Sequence, residues 1–228
     1  MGQTWANLLF AHWRVAPAVL ERVMPRELPL DTLDGSAWLG VTPFAVRNLR
    51  LRFTWPVPFF STFPEINVRT YVTVGGRPGI YFFSLDAGSA LAVLAARRLY
   101  RLPYFRARMA IEHENGGVAH LSERVSADGP DAAFRGHYGP CGPIEQAVPG
   151  SLEYWLTERY CLYTLDGSGR ILRGEIHHPP WPLQTATAAI EENTMAGGLN
   201  VVLDGPPLLH YAHRQDVVFW SLEPVREA

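Results

Sequence analysis

Alternation of hydrophobic and polar residues along the chain predicts short β-strands joined by tight turns, with few helices. The clearest strand covers residues 65–74, which alternate strictly and end at two glycines. Two adjacent glycines favour a hairpin turn, and residues 80–85 supply its partner strand. A second hairpin is predicted between residues 159–165 and 170–177 across a Gly-containing turn, and residues 47–64 are expected to form an excursion. The remaining predicted strands are residues 38–46, 108–114, 118–125, 132–138 and 217–222.

Helical segments are inserted between these strands rather than alternating with them. Pro17 favours a first helical turn, and the Ala- and Leu-rich segment Ala90–Tyr100 is the best internal helix. The predicted helices are residues 17–24, 90–100, 151–157 and 184–192. Hairpins in series with inserted helices predict an α+β fold with a curved antiparallel sheet or barrel and a few short helices. We expect a single domain over residues 1–228.

Composition removes several classes of protein. A chain of 228 residues with 47% hydrophobic and 18% charged residues is expected to fold around its own core without a disulfide or metal. The formal net charge of −2 gives no basis for nucleic-acid binding. All 20 basic residues are arginine. Without lysine, no side chain can form a Schiff base with a carbonyl compound, which leaves the N-terminal amine alone for that chemistry.

Metal, cofactor and membrane sites also lack a sequence signature. Cys141 and Cys161 are too far apart for a paired-cysteine site, and the histidines show no HExxH spacing. No Gly-x-Ser-x-Gly or Gly-x-Gly-x-x-Gly turn occurs, so we expect neither metal nor cofactor. The start of the chain lacks the pattern of a signal peptide, and an Asp and a Gly interrupt the most apolar stretch, residues 78–96. A cytoplasmic protein with reduced thiols and no membrane association is predicted.

One strand face carries the candidate chemistry: Phe63, Glu65, Asn67, Arg69 and Tyr71 alternate and therefore share a face. Two interpretations remain open at this point. The face is a solvent-exposed polar ladder with a Glu65–Arg69 contact, or it lines the interior with that pair partly buried. In the second case the carboxylate beside arginine would bind polar substrates or act as a general base.

An arginine-rich segment follows the best helix. Arg97, Arg101 and their neighbours suit a solvated helix end, because cations complement the helix C-terminus. The same segment could instead deliver Tyr104 into a pocket, since Pro103 forces the chain to turn there.

Several long motifs resemble the YqjF-like bacterial family of unknown function over nearly the whole chain. They include Phe-Ala-His-Trp at residues 10–13, Glu-Ile-Asn-Val-Arg-Thr-Tyr-Val at 65–72, Thr-Glu-Arg-Tyr at 157–160 and His-Pro-Pro-Trp at 178–181. Within these motifs His12 and Trp181 become candidate ligand-binding residues. The family is grouped with the acetoacetate decarboxylase-like superfamily, which implies a curved antiparallel barrel around a hydrophobic pocket.

That more distant resemblance can be followed residue by residue. Phe63-x-Glu65 is similar to an aromatic-x-Glu strand whose glutamate faces the active site in acetoacetate decarboxylases. Their Gly-Phe-Pro-Lys-Lys loop corresponds to residues 101–105 here, with Tyr104 and Phe105 in place of the two lysines. The resemblance therefore implies a retained scaffold without the Schiff-base nucleophile.

Three functions are compatible with these observations. The first is an enzyme acting without a Schiff base on a small, mostly apolar carboxylate or carbonyl compound. Glu65 would then be general acid or base, Tyr104 an oxyanion donor, and Arg69, helped by Arg97 or Arg101, an anion holder. The second is a non-catalytic protein that binds a hydrophobic small molecule, and the third is a pocket filled by its own aromatic side chains. A cavity of at least roughly 300 Å³ at Glu65 would favour the first two. A homo-oligomer is left open.

Overall fold

The protein is described by a computed structural model covering residues 1–51, 54–55, 61–114 and 116–225. Part of the predicted excursion at residues 47–64 lies outside the described residues. So does Asn115, which begins an Asn-Gly-Gly hairpin turn predicted between the strands at residues 108–114 and 118–125. The strands are β1 Gly2–Val15, β2 Ala37–Arg50, β3 Phe63–Val74, β4 Arg77–Ala87, β5 Tyr104–Glu114, β6 Gly117–Arg124, β7 Ala133–Pro140, β8 Cys161–Leu165, β9 Ile171–His177, β10 Gln184–Asn193 and β11 Leu208–Pro224. The helices are α1 Pro17–Glu21, α2 Ala90–Tyr100, α3 Leu152–Thr157 and a 3₁₀ turn, Gly197–Leu199.

All eleven strands belong to one curved sheet, in the order β1-β2-β3-β4-β5-β6-β7-β10-β11-β9-β8. Additional pairings join β1 to β11 and β4 to β8, so that β1, β2, β3, β4, β8, β9 and β11 form a closed ring of neighbours. Most pairings are antiparallel, whereas β4 pairs in parallel with β5 and with β8. Parallel neighbours need a crossover, and α2 supplies it between β4 and β5. The α+β class with a curved, mainly antiparallel sheet and short helices is thus confirmed.

Two hydrophobic clusters lie on opposite faces of the ring strands. The ring cluster takes side chains from all seven ring strands, including Phe10 and Phe44. The outer cluster packs the other faces of β1, β2 and β3 against β6, β7 and β10 through residues such as Val68 and Phe134. Consequently β3 is buried on both faces, and its polar residues lie on the side of the ring cluster.

The predicted helix at residues 184–192 is wrong, because this segment is strand β10. Its alanines favour a helix, but Thr185 and Thr187 are β-branched and suit a strand. Antiparallel pairing with β7, from Ala186 opposite Pro140 to Asn193 opposite Phe134, overrides the local propensity.

Two further boundaries differ from the predictions. β11 begins at Leu208 rather than at residue 217, because residues 208–218 pair with β1. Tyr104 is the first residue of β5 rather than part of a loop. No helix in the described part of the chain is long and apolar enough to cross a membrane.

Candidate functional site

Glu65 and Tyr104 meet in the interior although they are 39 positions apart in the chain. Strand β4 lies between their strands: Ala87 pairs with Glu65 of β3, and Leu85 pairs with Tyr104 of β5. The Tyr104 hydroxyl donates to Oε2 of Glu65 at 3.1 Å, and both side chains are buried. We call Glu65 and Tyr104 the carboxyl–phenol pair.

Burial makes Glu65 a neutral acid near pH 7. Desolvation raises its pKa from 4.5 to about 8, the hydrogen bond from Tyr104 opposes that rise, and the negative charge of Asp86 adds to it. Burial and the neighbouring Glu65 likewise raise the pKa of Tyr104 well above 10. The pair therefore holds two protons that can be donated to a carbonyl oxygen, and a carboxylate that forms at modestly alkaline pH.

A cavity of about 90 Å³ adjoins the carboxyl–phenol pair. Its walls are mostly apolar, with Gln3, Glu65 and Asn67 among the polar side chains. Helix α2 contributes one wall through Ala92, Ala95, Ala96, Leu99 and Tyr100. The volume is below the roughly 300 Å³ that would favour a ligand-binding pocket. Cavity size alone therefore does not decide between a protein that binds a ligand and one whose pocket is filled by its own side chains. A cavity of this size suits a compound of a few non-hydrogen atoms.

Phe63, Asn67 and Trp181 all lie in the interior. Phe63 and Asn67 line the cavity beside Glu65. Trp181 packs instead in the ring cluster, with its ring stacked on Trp5 at 6.0 Å and edge-on to Phe10 at 4.9 Å. Because Trp5 lines the cavity, Trp181 supports the cavity wall from behind.

Arg69 does not pair with Glu65, although both residues are described and buried. Residues i and i+4 of a strand are about 13 Å apart along the chain, whereas the same spacing on a helix brings side chains together. The guanidinium of Arg69 lies 5.1 Å from the centre of the Phe10 ring, and its charge acts on the neighbouring Tyr71 hydroxyl. The predicted Glu65–Arg69 pair is therefore wrong.

His12 and Tyr71 accompany Arg69. Nε2 of His12 and the Tyr71 hydroxyl are 2.6 Å apart, and both residues are buried. Burial, with the positive charge of Arg69, holds the pKa of His12 well below 6.5, so the ring is neutral. Arg69, His12 and Tyr71 thus form a second polar group on the ring side of β3, which we call the Arg69 cluster.

Arg97 and Arg101 do not line the cavity. Nε of Arg97 donates to the carbonyl of Tyr104, and its Nη1 pairs with Asp128 at 2.7 Å. Arg97 therefore positions the start of β5 rather than facing the cavity. Arg101 is exposed and borders a separate open depression of about 520 Å³ on the far side of Tyr104.

Two buried ion pairs behind the site were missed by sequence reasoning. Arg159 pairs with Asp31 at 2.7 Å and lies 4.9 Å from the ring centre of Tyr71. Arg124 makes two hydrogen bonds to Asp86, at 2.9 and 2.7 Å. Arg159 belongs to the quoted Thr-Glu-Arg-Tyr motif, which was a usable signal, whereas the partner of Asp86 depends on the pairing of distant strands.

Comparison with solved structures defines the class of fold. The chain resembles an acetoacetate decarboxylase from Legionella pneumophila (TM-score 0.64, 14% identity, 99% of this chain and 87% of that one). It also resembles an acetoacetate decarboxylase-like enzyme from Sphingomonas wittichii RW1 (TM-score 0.66, 13% identity, 100% and 93%). A third similar structure is the enduracididine biosynthesis enzyme MppR complexed with pyruvate (TM-score 0.66, 10% identity, 98% and 89%). The fold is acetoacetate decarboxylase-like.

Sequence comparison then gives the family. The chain belongs to the DUF2071 family, described as an uncharacterized conserved protein, which it matches over residues 2–216. It is 47% identical over 223 residues to the uncharacterized protein YqjF of Bacillus subtilis (strain 168), covering 97% of this chain and 91% of that protein. The predicted resemblance to a YqjF-like family with this fold is confirmed.

Proposed function

We propose that the protein binds a small carbonyl compound in the cavity and catalyses proton transfer on it without a Schiff base. The observation that carries this proposal is the carboxyl–phenol pair: a buried glutamic acid with a pKa of about 8, hydrogen-bonded to a buried tyrosine beside a mostly apolar cavity. Similarity to MppR, which was solved complexed with pyruvate, supports a small carbonyl compound as the ligand class.

The proposed step is enolisation. The carboxylate form of Glu65 takes a proton from the carbon next to the carbonyl, and the bonding pair of that C–H bond becomes the enolate double bond. As Glu65 gains that proton, the Tyr104 hydroxyl turns from Oε2 of Glu65 and donates its hydrogen bond to the oxygen on which negative charge develops. Return of the proton from Glu65 to carbon regenerates the carbonyl compound. Neither a lysine nor a cofactor takes part in this step.

The apolar lining favours a second candidate, a non-catalytic protein that binds a small hydrophobic molecule. In that case the neutral Glu65 and Tyr104 would fix the orientation of one polar atom of the ligand. The two candidates differ in whether a carbon–hydrogen bond is broken.

Exchange with solvent deuterium separates them. Acetone, 2-butanone and pyruvate would be incubated with the protein in D₂O, and loss of the proton signal beside the carbonyl followed by NMR. We expect exchange to accelerate as the pH rises through about 8, because the carboxylate form of Glu65 is the base. Glu65→Gln should abolish it and Tyr104→Phe should slow it by about 10²-fold or more.

Matched controls lie in the same fold. Tyr100→Phe removes another phenol from the cavity wall, and Glu192→Gln removes an exposed carboxylate from β10. Both should leave exchange unchanged. Binding of these ketones without exchange in the wild type would support the non-catalytic candidate, and a Glu65→Gln variant as active as wild type would refute the proposed base.

A further inference from the structure

We infer that the Arg69 cluster is a binding site for a small monocarboxylate, distinct from the carboxyl–phenol pair. The carboxylate would be held by the guanidinium of Arg69, with His12 supplying a neighbouring N–H. This site goes beyond proton transfer and does not require it.

The first support is an unbalanced charge. Arg69 has 3% of its surface exposed, and among the described residues it forms no ion pair. Its neighbours are the Phe10 ring and the neutral hydroxyl of Tyr71. Arginine stays charged in proteins, and buried charges are normally paired. An anion bound from solution would supply the missing negative charge.

The nearby groups do not already supply that charge. The positive charge of Arg159 is balanced by Asp31 at 2.7 Å. His210 lies near His12 and has Glu153 as its own charged neighbour, but Glu153 makes no ion pair within the described chain. Since His12 and Tyr71 are neutral, the cluster carries one uncompensated positive charge, which matches a monoanion.

The second support is the direction of the hydrogen bonds. The Tyr71 hydroxyl and Nε2 of His12 share one short hydrogen bond, and we assign its proton to Tyr71, so that Nε2 accepts. The proton of the neutral His12 ring is then on Nδ1. Within the described residues, His12 Nδ1 and Arg69 Nε are both buried without a hydrogen-bond partner. Two buried N–H groups left unpaired are costly unless a ligand or water accepts from them.

The third support is the residue between the two side chains. Gly40 pairs with His12 of β1 on one side and with Arg69 of β3 on the other. A Cβ at this position would lie 3.0 Å from Cδ2 of His12 and 3.4 Å from Cγ of Arg69. A side chain here would crowd both residues, so glycine at this position lets His12 and Arg69 lie side by side across β2. A planar carboxylate suits such a site, because its two oxygens match the fork of a guanidinium.

Thermal unfolding with propionate as the probe tests this site, with propionamide as its neutral counterpart and all samples at equal ionic strength. At a hundred times the Kd, propionate should raise the Tm of the wild type by about 5–10 °C. Propionamide and chloride should leave the Tm unchanged. Glu65→Gln should keep the propionate shift, so that failure of the proton-transfer proposal does not remove this result.

Two Arg69 variants separate binding from a structural role. Arg69→Met should lose the propionate shift without lowering the Tm of the ligand-free protein, because it removes an uncompensated buried charge. Arg69→Lys should keep a weaker shift, since the charge remains and the fork is lost. Arg159→Met is the matched control: it strands Asp31 and should lower the Tm.

The inference is overturned by any of five results, four of them from thermal unfolding and one from NMR. The thermal results are a wild type that propionate does not stabilise, an equal shift with propionamide, a retained shift in Arg69→Met, or an Arg69→Met protein that unfolds as readily as Arg159→Met. In the NMR experiment, the signal of ¹³C-labelled propionate should broaden when it binds the wild type. Equal broadening with Arg69→Met would overturn the inference independently of stability.

Discussion

Replacing Glu65 with glutamine should remove the pH dependence of stability that this one residue imposes. The folded-state pKa of Glu65 is about 8 and its ordinary value is 4.5. Between these values the folded protein holds a proton that the unfolded chain has released, so stability falls as the pH rises. The stability that depends on a neutral Glu65 is fully present below pH 4.5 and is lost progressively as the pH rises from 4.5 through about 8.

The magnitude follows from the size of the shift. At about 1.4 kcal/mol per pKa unit, a rise from 4.5 to about 8 corresponds to about 5 kcal/mol of unfolding free energy. In a chain of this length that is a change in Tm of about 10–20 °C. Glutamine is neutral at every pH, so Glu65→Gln should resemble the wild type at pH 5 and be clearly more stable than the wild type at pH 9.

Urea unfolding at pH 5, 6, 7, 8 and 9 measures this difference. Other buried acids, including Asp86, titrate in both proteins and cancel when the two are compared. Exposed Glu192→Gln should follow the wild type at each pH. Parallel stability curves for the wild type and Glu65→Gln would refute the assignment of Glu65 as a buried neutral acid. An infrared difference spectrum at pH 7 should show the C=O stretch of a protonated carboxyl group lost in Glu65→Gln.

Three further outcomes are expected. Tyr104→Phe should cost less than about 1.5 kcal/mol of stability. It should also raise the pKa of Glu65 further, because the lost Tyr104 hydrogen bond opposes the effect of burial. An infrared titration that shows no upward shift of the Glu65 pKa would contradict this. Arg124→Met should cost about 3–5 kcal/mol in urea unfolding, since it strands buried Asp86, and a loss under about 1 kcal/mol would be inconsistent with that pair. Borohydride with pyruvate should leave the protein mass unchanged, because no lysine is present; an adduct would place the chemistry at the N-terminal amine.

The sequence predicted the strand that carries the site better than it predicted the contacts made there. Strict alternation placed Glu65, Asn67 and Arg69 on one face, because strand periodicity is local. Whether that face is interior depends on closure of the ring of strands through the β1–β11 and β4–β8 pairings, whereas β6, β7 and β10 cover the opposite face of β3. Strand β10 is the segment whose alanines predicted a helix, so local propensity failed where pairing with a distant strand decides the structure.

The partners of the polar side chains required tertiary information. The position of Tyr104 beside Glu65 was expected from the family resemblance, since the spacing of the two residues indicates nothing about their contact. The Glu65–Arg69 pair failed because the rise of a strand separates residues four apart. The volume of a cavity depends on shifts of the surrounding side chains that are smaller than the size of a methyl group. Amino-acid composition carries no information on such shifts.

Helix α2 gives the cavity a wall made largely of alanine methyl groups, with Ala92, Ala95 and Ala96 facing the space beside the carboxyl–phenol pair. In the proposed function the proton-bearing side chains lie on β3 and β5, so ligand size and ligand chemistry would be set by different elements. Adding one or two methyl groups at an alanine of α2 would narrow the range of ligands while leaving every proton-bearing group in place.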